Sequence, residues 1–210
     1  MGREARCAGE FGGWNGVGRL LLETDDLIFR GETRLKVALC DIADARAEDG
    51  WLVVRHADGE ARFELGEAAG KWADAIRNPR TLMDKLGVRP ASRVAVLGVA
   101  DPTFLEELYG RSAQVATFDA VAALAAEGSA YDLIVYGAET PDSLVALPVL
   151  KGMLVADGGV WVISPKQRPE IGRVPVIAAA KRSGLVDVKA ARFSATHTAL
   201  KLVIPKADRR

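Results

Sequence analysis

The chain has 210 residues, an apolar share of 49% and a formal net charge of zero, values typical of a globular protein with a substantial core. It contains no run of about 18 apolar residues, so the sequence predicts no membrane-spanning helix. No apolar segment follows the charged N-terminus, so we expect a cytoplasmic protein rather than a secreted one.

The charges are spread unevenly along the chain. Residues 151–210 hold 12 Lys and Arg against 4 Asp and Glu, whereas residues 101–150 hold one Arg and eight acids. This division could steer an anionic partner toward the C-terminal part. Attraction between the two oppositely charged ends of one domain, with the remaining charges solvated at the surface, explains it as well, and we favour that interpretation.

Alternation of apolar and polar residues predicts a β-rich first domain over residues 10–78. Strands are expected at 18–23, 27–30, 35–39, 42–47, 51–55 and 61–65. Helical spacing then begins near Ala68, and Asn78-Pro79 ends the helix. The glycine cluster at 12–18 precedes a strand instead of following one, so we interpret it as a flexible entry and not as a phosphate-binding loop.

The two cysteines, Cys7 and Cys40, form no CxxC pair and no metal-binding spacing. Cys40 lies in an apolar-rich stretch and is expected to be a reduced residue packed in the core. Cys7 is expected near a loose terminus.

The run Gly18–Gly31, together with the helix around Trp72, resembles the pleckstrin-homology or GRAM-like barrel, which is a β-barrel capped by one helix. Members of that superfamily often bind phosphoinositides through a basic loop between the first strands. The corresponding loop here, Thr24-Asp25-Asp26, is acidic and would repel a phosphate. A protein-contact or structural role is therefore expected for this domain.

Strands and helices alternate over residues 80–206 and predict an α/β, Rossmann-like second domain with a mostly parallel sheet. The predicted strands are 93–98, 115–118, 131–136, 160–164, 186–193 and 199–204. Only about five residues join the last two strands, and a parallel return needs a crossover of about a dozen. The sheet is therefore expected to end in an antiparallel hairpin, a combination that looks like the class I methyltransferase fold.

Four runs carry a closer resemblance: Leu86–Gly98, Tyr131–Tyr136, Asp157–Lys166 and Gly184–Val203. In this order they resemble a family of uncharacterised bacterial domains with a class I methyltransferase-like scaffold. That family usually has Trp where this chain has His197. The resemblance implies the fold and says very little about function.

The loop after the first strand of this domain departs from the pattern that holds S-adenosylmethionine. That loop needs glycines where the backbone approaches the cofactor, but here Ala100 and Pro102 replace the second and third glycines of the run that begins at Gly98. Asp119 could bind the ribose of the cofactor. It could instead cap the helix that follows it, and we favour this second interpretation. Only residues 127–130 separate the next helix from Tyr131, so one strand is missing beside the adenine pocket. No cofactor is therefore predicted, and S-adenosylmethionine is possible but disfavoured.

Ligands of open α/β sheets lie at the carboxyl ends of the strands. The candidates for a crevice there are Gly98, Asp101, Asp119, Glu139, Ser164 and Lys166. The turn carrying Thr196 and His197 is expected at the same edge, where a carboxylate, a Lys and a His could perform acid–base chemistry. Each has an ordinary alternative as a helix cap, a solvated side chain or a hairpin tip, so no catalytic residue and no metal site is assigned.

Three functions follow from these features. The leading hypothesis is a non-catalytic two-module protein for ligand sensing or protein contact on a degenerate methyltransferase-like scaffold. The alternative is an S-adenosylmethionine-dependent methyltransferase with an atypical cofactor loop. The third is binding of nucleic acid or another acidic partner through the basic C-terminal region; it ranks last because few aromatic residues lie among the basic ones.

Overall fold

The first two strands form a tight hairpin in the computed structural model, which describes residues 3–209. Strand β1 (Arg3–Phe11) pairs antiparallel with β2 (Trp14–Leu22), and Gly12 and Gly13 make the turn with φ values of 56° and 78°. Two successive positive φ angles match the twist of a hairpin, and glycine adopts them without strain. The prediction of a flexible entry is therefore wrong.

The next strands of the chain are β3 (Asp26–Arg30), β4 (Arg34–Ala38), β5 (Asp44–Glu48), β6 (Trp51–His56) and β7 (Gly59–Glu64). With β1 and β2 they form an antiparallel sheet of seven strands, in the order β4-β3-β2-β1-β7-β6-β5. Helix α1 (Ala69–Arg77) packs against β5 and β6. Its apolar face buries Trp72 and Ile76 against the sheet.

The predicted closed barrel is wrong, and the pleckstrin-homology or GRAM-like resemblance is not supported. Strands β4 and β5 are the two edges of the sheet and do not pair with each other within residues 3–209. A short 3-10 turn, Leu39–Asp41, carries the chain from one edge to the other. Because α1 covers part of the apolar face, the sheet can bury its core without closing on itself.

The chain divides between Arg80 and Thr81 into two compact units. The helices of the second unit are α2 (Leu82–Leu86), α3 (Pro102–Arg111), α4 (Val121–Glu127), α5 (Leu147–Gly152) and α6 (Arg173–Arg182). Its strands are β8 (Arg93–Leu97), β9 (Gln114–Phe118), β10 (Tyr131–Gly137), β11 (Leu154–Pro165), β12 (Val186–Arg192) and β13 (His197–Val203).

The second sheet is mixed, in the order β12-β13-β11-β10-β8-β9. The pairs β8–β9, β8–β10 and β10–β11 are parallel, whereas β13 is antiparallel to both β11 and β12. The Rossmann-like part of the prediction is partly supported, since β8, β9, β10 and β11 pair in parallel and helices connect them. The description of the sheet as mostly parallel is wrong, because the short β12–β13 connection inserts a reversed strand that makes two of the five pairings antiparallel.

Local signals place the helix ends of the second unit. Gly87 follows α2 with φ 80°, and Asp101 caps α3, which starts at Pro102. Pro148 lies in the first turn of α5, at the point where this helix follows a 3-10 segment. The fully buried Trp161 of β11 donates its indole N–H to the carbonyl of Leu86 at 2.9 Å, which ties α2 to the sheet.

The two cysteines occupy the reverse of their expected environments. Cys7 lies on β1 with only 6% of its surface exposed, within the core of the first unit. Cys40 is exposed in the 3-10 turn after β4, so its expected core position is wrong. Burial, assisted by the nearby charge of Glu64, raises the pKa of the Cys7 thiol to about 11.

We expect only Cys40 to react quickly with a thiol reagent such as Ellman's reagent. The thiolate is the reactive form, and the raised pKa keeps Cys7 protonated at neutral pH as well as shielded. Titration of the native chain should release one fast equivalent, and Cys40→Ser should abolish it. Two fast equivalents in the native chain would contradict the burial of Cys7.

Candidate functional site

The carboxyl ends of β8, β9 and β10 meet at one edge of the second sheet. Leu97, the last residue of β8, pairs with Phe118 of β9 on one side and with Tyr136 of β10 on the other. The residues that follow these three strands therefore start side by side, at a strand spacing of about 4.8 Å. We call this region the carboxyl edge and take its residues in turn.

Two glycines bring main chain against main chain at the carboxyl edge. Gly98 has φ 68°, and a Cβ atom there would lie 3.2 Å from the carbonyl oxygen of Gly137. A Cβ atom on Gly137 would lie 2.0 Å from the carbonyl oxygen of Gly98, which is closer than any side chain allows. The space directly between the ends of β8 and β10 is thus filled by backbone, and both positions require glycine.

Asp101 is committed to the start of α3. Its Oδ1 atom accepts a hydrogen bond from the backbone N–H of Phe104 at 3.0 Å, and Pro102 occupies the first turn. This is a side-chain N-cap, which stabilises the helix by satisfying one of its free N–H groups. The carboxylate therefore orients the helix that follows the Gly98 turn.

Asp119 directly follows β9, next to the Gly98 turn, and its side chain is exposed. The cap position of α4 is Ala120, which makes no side-chain cap bond, so the favoured interpretation of Asp119 as a helix cap is wrong. Within residues 3–209 the Asp119 carboxylate has no hydrogen-bond or ion-pair partner. It is a free acceptor at the carboxyl edge.

A hydroxyl, an imidazole and a carboxylate form a chain at the same edge. The Nδ1 atom of His197 lies 2.9 Å from Oγ1 of Thr196, and its Nε2 atom lies 3.3 Å from Oε1 of Glu139. The His197 side chain is 32% exposed and that of Glu139 is 59% exposed. The fold thus joins the loop after β10 to the β12–β13 turn through one imidazole that remains open to solvent.

Lys166 and Ser164 do not lie among the open groups of the carboxyl edge. The Lys166 ammonium donates to the carbonyls of Ser194 and Ala195 at 2.7 and 2.9 Å, and so holds the β12–β13 turn. Ser164 is only 3% exposed and lies inside β11, opposite Thr198 of β13. The structure therefore brings Gly98, Asp119 and Glu139 to the open edge and leaves these two in supporting positions.

Sequence reasoning missed Gly137. Its signal is weak, a glycine immediately after the buried strand Tyr131–Tyr136, but it is the partner that allows the close backbone approach at Gly98. The pairing of His197 with Glu139 was also invisible, since 58 residues separate them in the sequence.

Carboxylates dominate the ionisable groups of the open edge. Asp119 is free, Glu139 is shared with His197, and Asp101 caps α3. Such an edge suits a ligand with a positive charge and with hydroxyl groups that donate hydrogen bonds.

Among the described residues, no cluster of three or more His, Cys, Asp and Glu could hold a metal ion. None of the helices formed by these residues is long and apolar enough to cross a membrane.

The chain is similar to several solved structures, all at low identity. A Methanococcus jannaschii fibrillarin pre-rRNA processing protein matches with 12% identity over 87% of this chain and 95% of that one, with a TM-score of 0.43. An O-methyltransferase family protein from Burkholderia thailandensis matches with 12% identity over 60% of this chain and 55% of that one, with a TM-score of 0.45. A magnesium protoporphyrin IX methyltransferase from Synechocystis with bound SAH matches with 12% identity over 55% and 75%, with a TM-score of 0.40.

No protein-family model matches the chain, and no curated protein matches it either. Similarity at this level concerns the fold alone. The prediction of a non-catalytic two-module protein finds no support among the similar structures, which include methyltransferases. The expectation that no cofactor binds is likewise not confirmed.

We expect Gly137→Ala to lower the free energy of unfolding of the chain by about 2–3 kcal/mol, the cost of forcing atoms into a filled space. The new Cβ atom would meet the Gly98 carbonyl, which is backbone and cannot rotate away. Urea unfolding followed by circular dichroism measures the loss.

Gly110→Ala is the matched control for this substitution. Gly110 lies in α3, where an added Cβ atom would have no neighbouring atom within 4 Å, so alanine should leave stability unchanged or raise it slightly. Equal stability of the two variants would contradict the close approach of Gly98 and Gly137.

Proposed function

We propose that the second unit is an S-adenosylmethionine-dependent methyltransferase with an atypical cofactor loop, and that the cofactor lies at the carboxyl edge. The observation that carries the proposal is the free Asp119 carboxylate beside the Gly98 turn. Asp119 lies 21 residues after Gly98 in the chain. In nucleotide-binding Rossmann units an acid about 20 residues after the glycine turn accepts hydrogen bonds from the ribose hydroxyls.

The residues present fit an adenosyl group in two respects, and the missing side chain of Gly98 is not one of them, because its Cβ position faces the Gly137 carbonyl. Asp119 offers an unused acceptor for ribose hydroxyls, and the acidic edge favours the positively charged sulfonium and amino groups. Ala100 and Pro102 replace further glycines of the usual loop, so contacts from this loop to the methionine part would be fewer.

The adenine side of such a site would be less enclosed than usual. Strand β9 is the edge strand of the sheet, and after α4 the chain returns directly to β10. A neighbouring strand that would extend the sheet beyond β9 is absent from residues 3–209. We therefore expect binding in the micromolar range and a strong dependence on Asp119.

The pair formed by His197 and Glu139 supplies the acid–base part of the proposal. When bound, the cofactor supplies an electrophilic methyl group, whose bond to sulfur breaks with its electron pair as a lone pair of the acceptor forms the new bond. A neutral O–H or N–H acceptor must lose a proton in this reaction. The partly exposed His197 imidazole donates its Nε2–H to Glu139, so its lone pair is on Nδ1, and Nδ1 would take that proton through the Thr196 hydroxyl that it contacts.

Isothermal titration calorimetry of the full chain with S-adenosylmethionine tests the proposal. We expect micromolar binding that Asp119→Asn weakens at least about tenfold, which corresponds to about 1.4 kcal/mol. Asp119→Asn keeps the size of the side chain but removes the negative charge of the carboxylate, which accepts the hydrogen bonds of the ribose hydroxyls.

Asp58→Asn is the charge-matched control, because the Asp58 side chain is 96% exposed in the turn between β6 and β7 of the other unit. The Asp58→Asn variant should bind S-adenosylmethionine as tightly as the unmodified chain does. NAD serves as a second probe, since its ribose could also reach Asp119. No heat with S-adenosylmethionine at millimolar concentration, or tighter binding of NAD, would overturn the proposal.

A further inference from the structure

Four arginines stand in a row across four adjacent strands of the first sheet. Arg6 of β1 is directly opposite Arg19 of β2, Arg19 is opposite Arg30 of β3, and Arg30 is opposite Arg34 of β4. Directly opposite residues of antiparallel strands point to the same face. All four side chains are exposed on the face away from the core, and we call them the arginine row.

The other half of the same sheet arranges its charges in the ordinary way. Arg55 of β6 stands between Asp44 of β5 and Glu60 of β7. Arg46 of β5 makes ion pairs with Asp44, Glu48 and Glu60 at 3.0, 2.6 and 3.2 Å. Opposite charges alternate there across the strands, so the arginine row is a local departure and not a property of the whole sheet.

Most of the arginine row has no acidic partner. Arg19 pairs with Glu4 at 2.9 Å, whereas Arg6, Arg30 and Arg34 have no hydrogen-bond or ion-pair partner within residues 3–209. Like charges directly opposite each other destabilise a sheet. Three such contacts in succession therefore oppose folding, and a bound anion would remove the repulsion.

A recess of about 550 Å³ lies at the row. Arg6, Arg19 and Arg30 line it, together with Gly18 and Gly31. Gly18 has no room for a side chain, since a Cβ atom there would lie 2.6 Å from the carbonyl oxygen of Arg30. The volume of the recess falls within the range of about 300–1,000 Å³ found for small-molecule pockets.

Two acids also line this recess. Glu4 is already neutralised by Arg19, and Glu32 lies in the turn between β3 and β4. The acidic loop Thr24-Asp25-Asp26 lies at the opposite end of β3, and Asp26 there pairs with Lys36 at 3.2 Å. The recess therefore keeps a positive excess, and it is separate from the loop that the sequence excludes as a phosphate site.

We propose that this recess binds an oligophosphate anion, such as pyrophosphate or a chain of three phosphates. A guanidinium group presents five N–H donors in a planar fork that matches phosphate oxygens. The two unpaired groups of the recess, Arg6 and Arg30, lie on β1 and β3, two strand spacings or roughly 10 Å apart, so consecutive phosphates can reach both better than one phosphate can. The exposed outer-face residues of β1–β4 include no aromatic side chain that would stack on a base, which favours recognition of the phosphates alone.

Calorimetric titration of the full chain with inorganic tripolyphosphate tests the proposal, with inorganic phosphate for comparison. We expect tripolyphosphate to bind at least about tenfold more tightly than phosphate, and Arg30→Gln to weaken it at least about tenfold, because charge-assisted pairs with phosphate are the strong ones. Arg55→Gln removes one positive charge from the same sheet and should leave binding unchanged.

Thermal unfolding gives a second, independent readout. Without a ligand at low salt, Arg30→Gln should raise the melting temperature by about 2 °C, because it removes two like-charge contacts. A structural role for Arg30 predicts a fall instead. The proposal is overturned if tripolyphosphate does not bind at millimolar concentration, if Arg30→Gln and Arg55→Gln weaken it equally, or if only single-stranded RNA binds the row.

Discussion

The contact between the backbones of Gly98 and Gly137 determines the shape of the carboxyl edge. Since neither position tolerates a side chain, β8 and β10 stay side by side past their last paired residues, Leu97 and Tyr136. The chain leaving β8 must then turn sharply, which Gly98 does with its positive φ, and Asp101 starts α3 three residues later. The open groups of the edge, Asp119 and Glu139, are placed around this closed centre.

This arrangement divides the candidate site into two parts. On one side the free carboxylate of Asp119 lies next to the Gly98 turn, where the proposed cofactor would place its ribose hydroxyls. On the other side His197 and Glu139 face the end of β10 and can handle a proton. The reversed strand β13 makes the second part possible, because its first residue is His197 and its turn emerges at the same edge.

In the first unit, the charged side chains lie on the outer face of the sheet, and core packing does not determine their arrangement. The other face of the sheet is apolar and buried, and α1 covers this apolar face at β5 and β6. The outer face is therefore free to carry a pattern that packing does not dictate. Half of it pairs opposite charges, and the other half holds the arginine row, where mutual repulsion is left uncompensated within the described residues.

The sequence alone determined what local chemistry controls: the strand and helix alternation, the end of α1 at Asn78-Pro79, and the final antiparallel hairpin. Each depends on residues close together in the chain. Only the tertiary structure decided that the first sheet stays open, that Asp119 is not a cap, and that His197 meets Glu139. These features depend on which strands lie side by side, and that is settled by burial of the whole core and not by any local pattern.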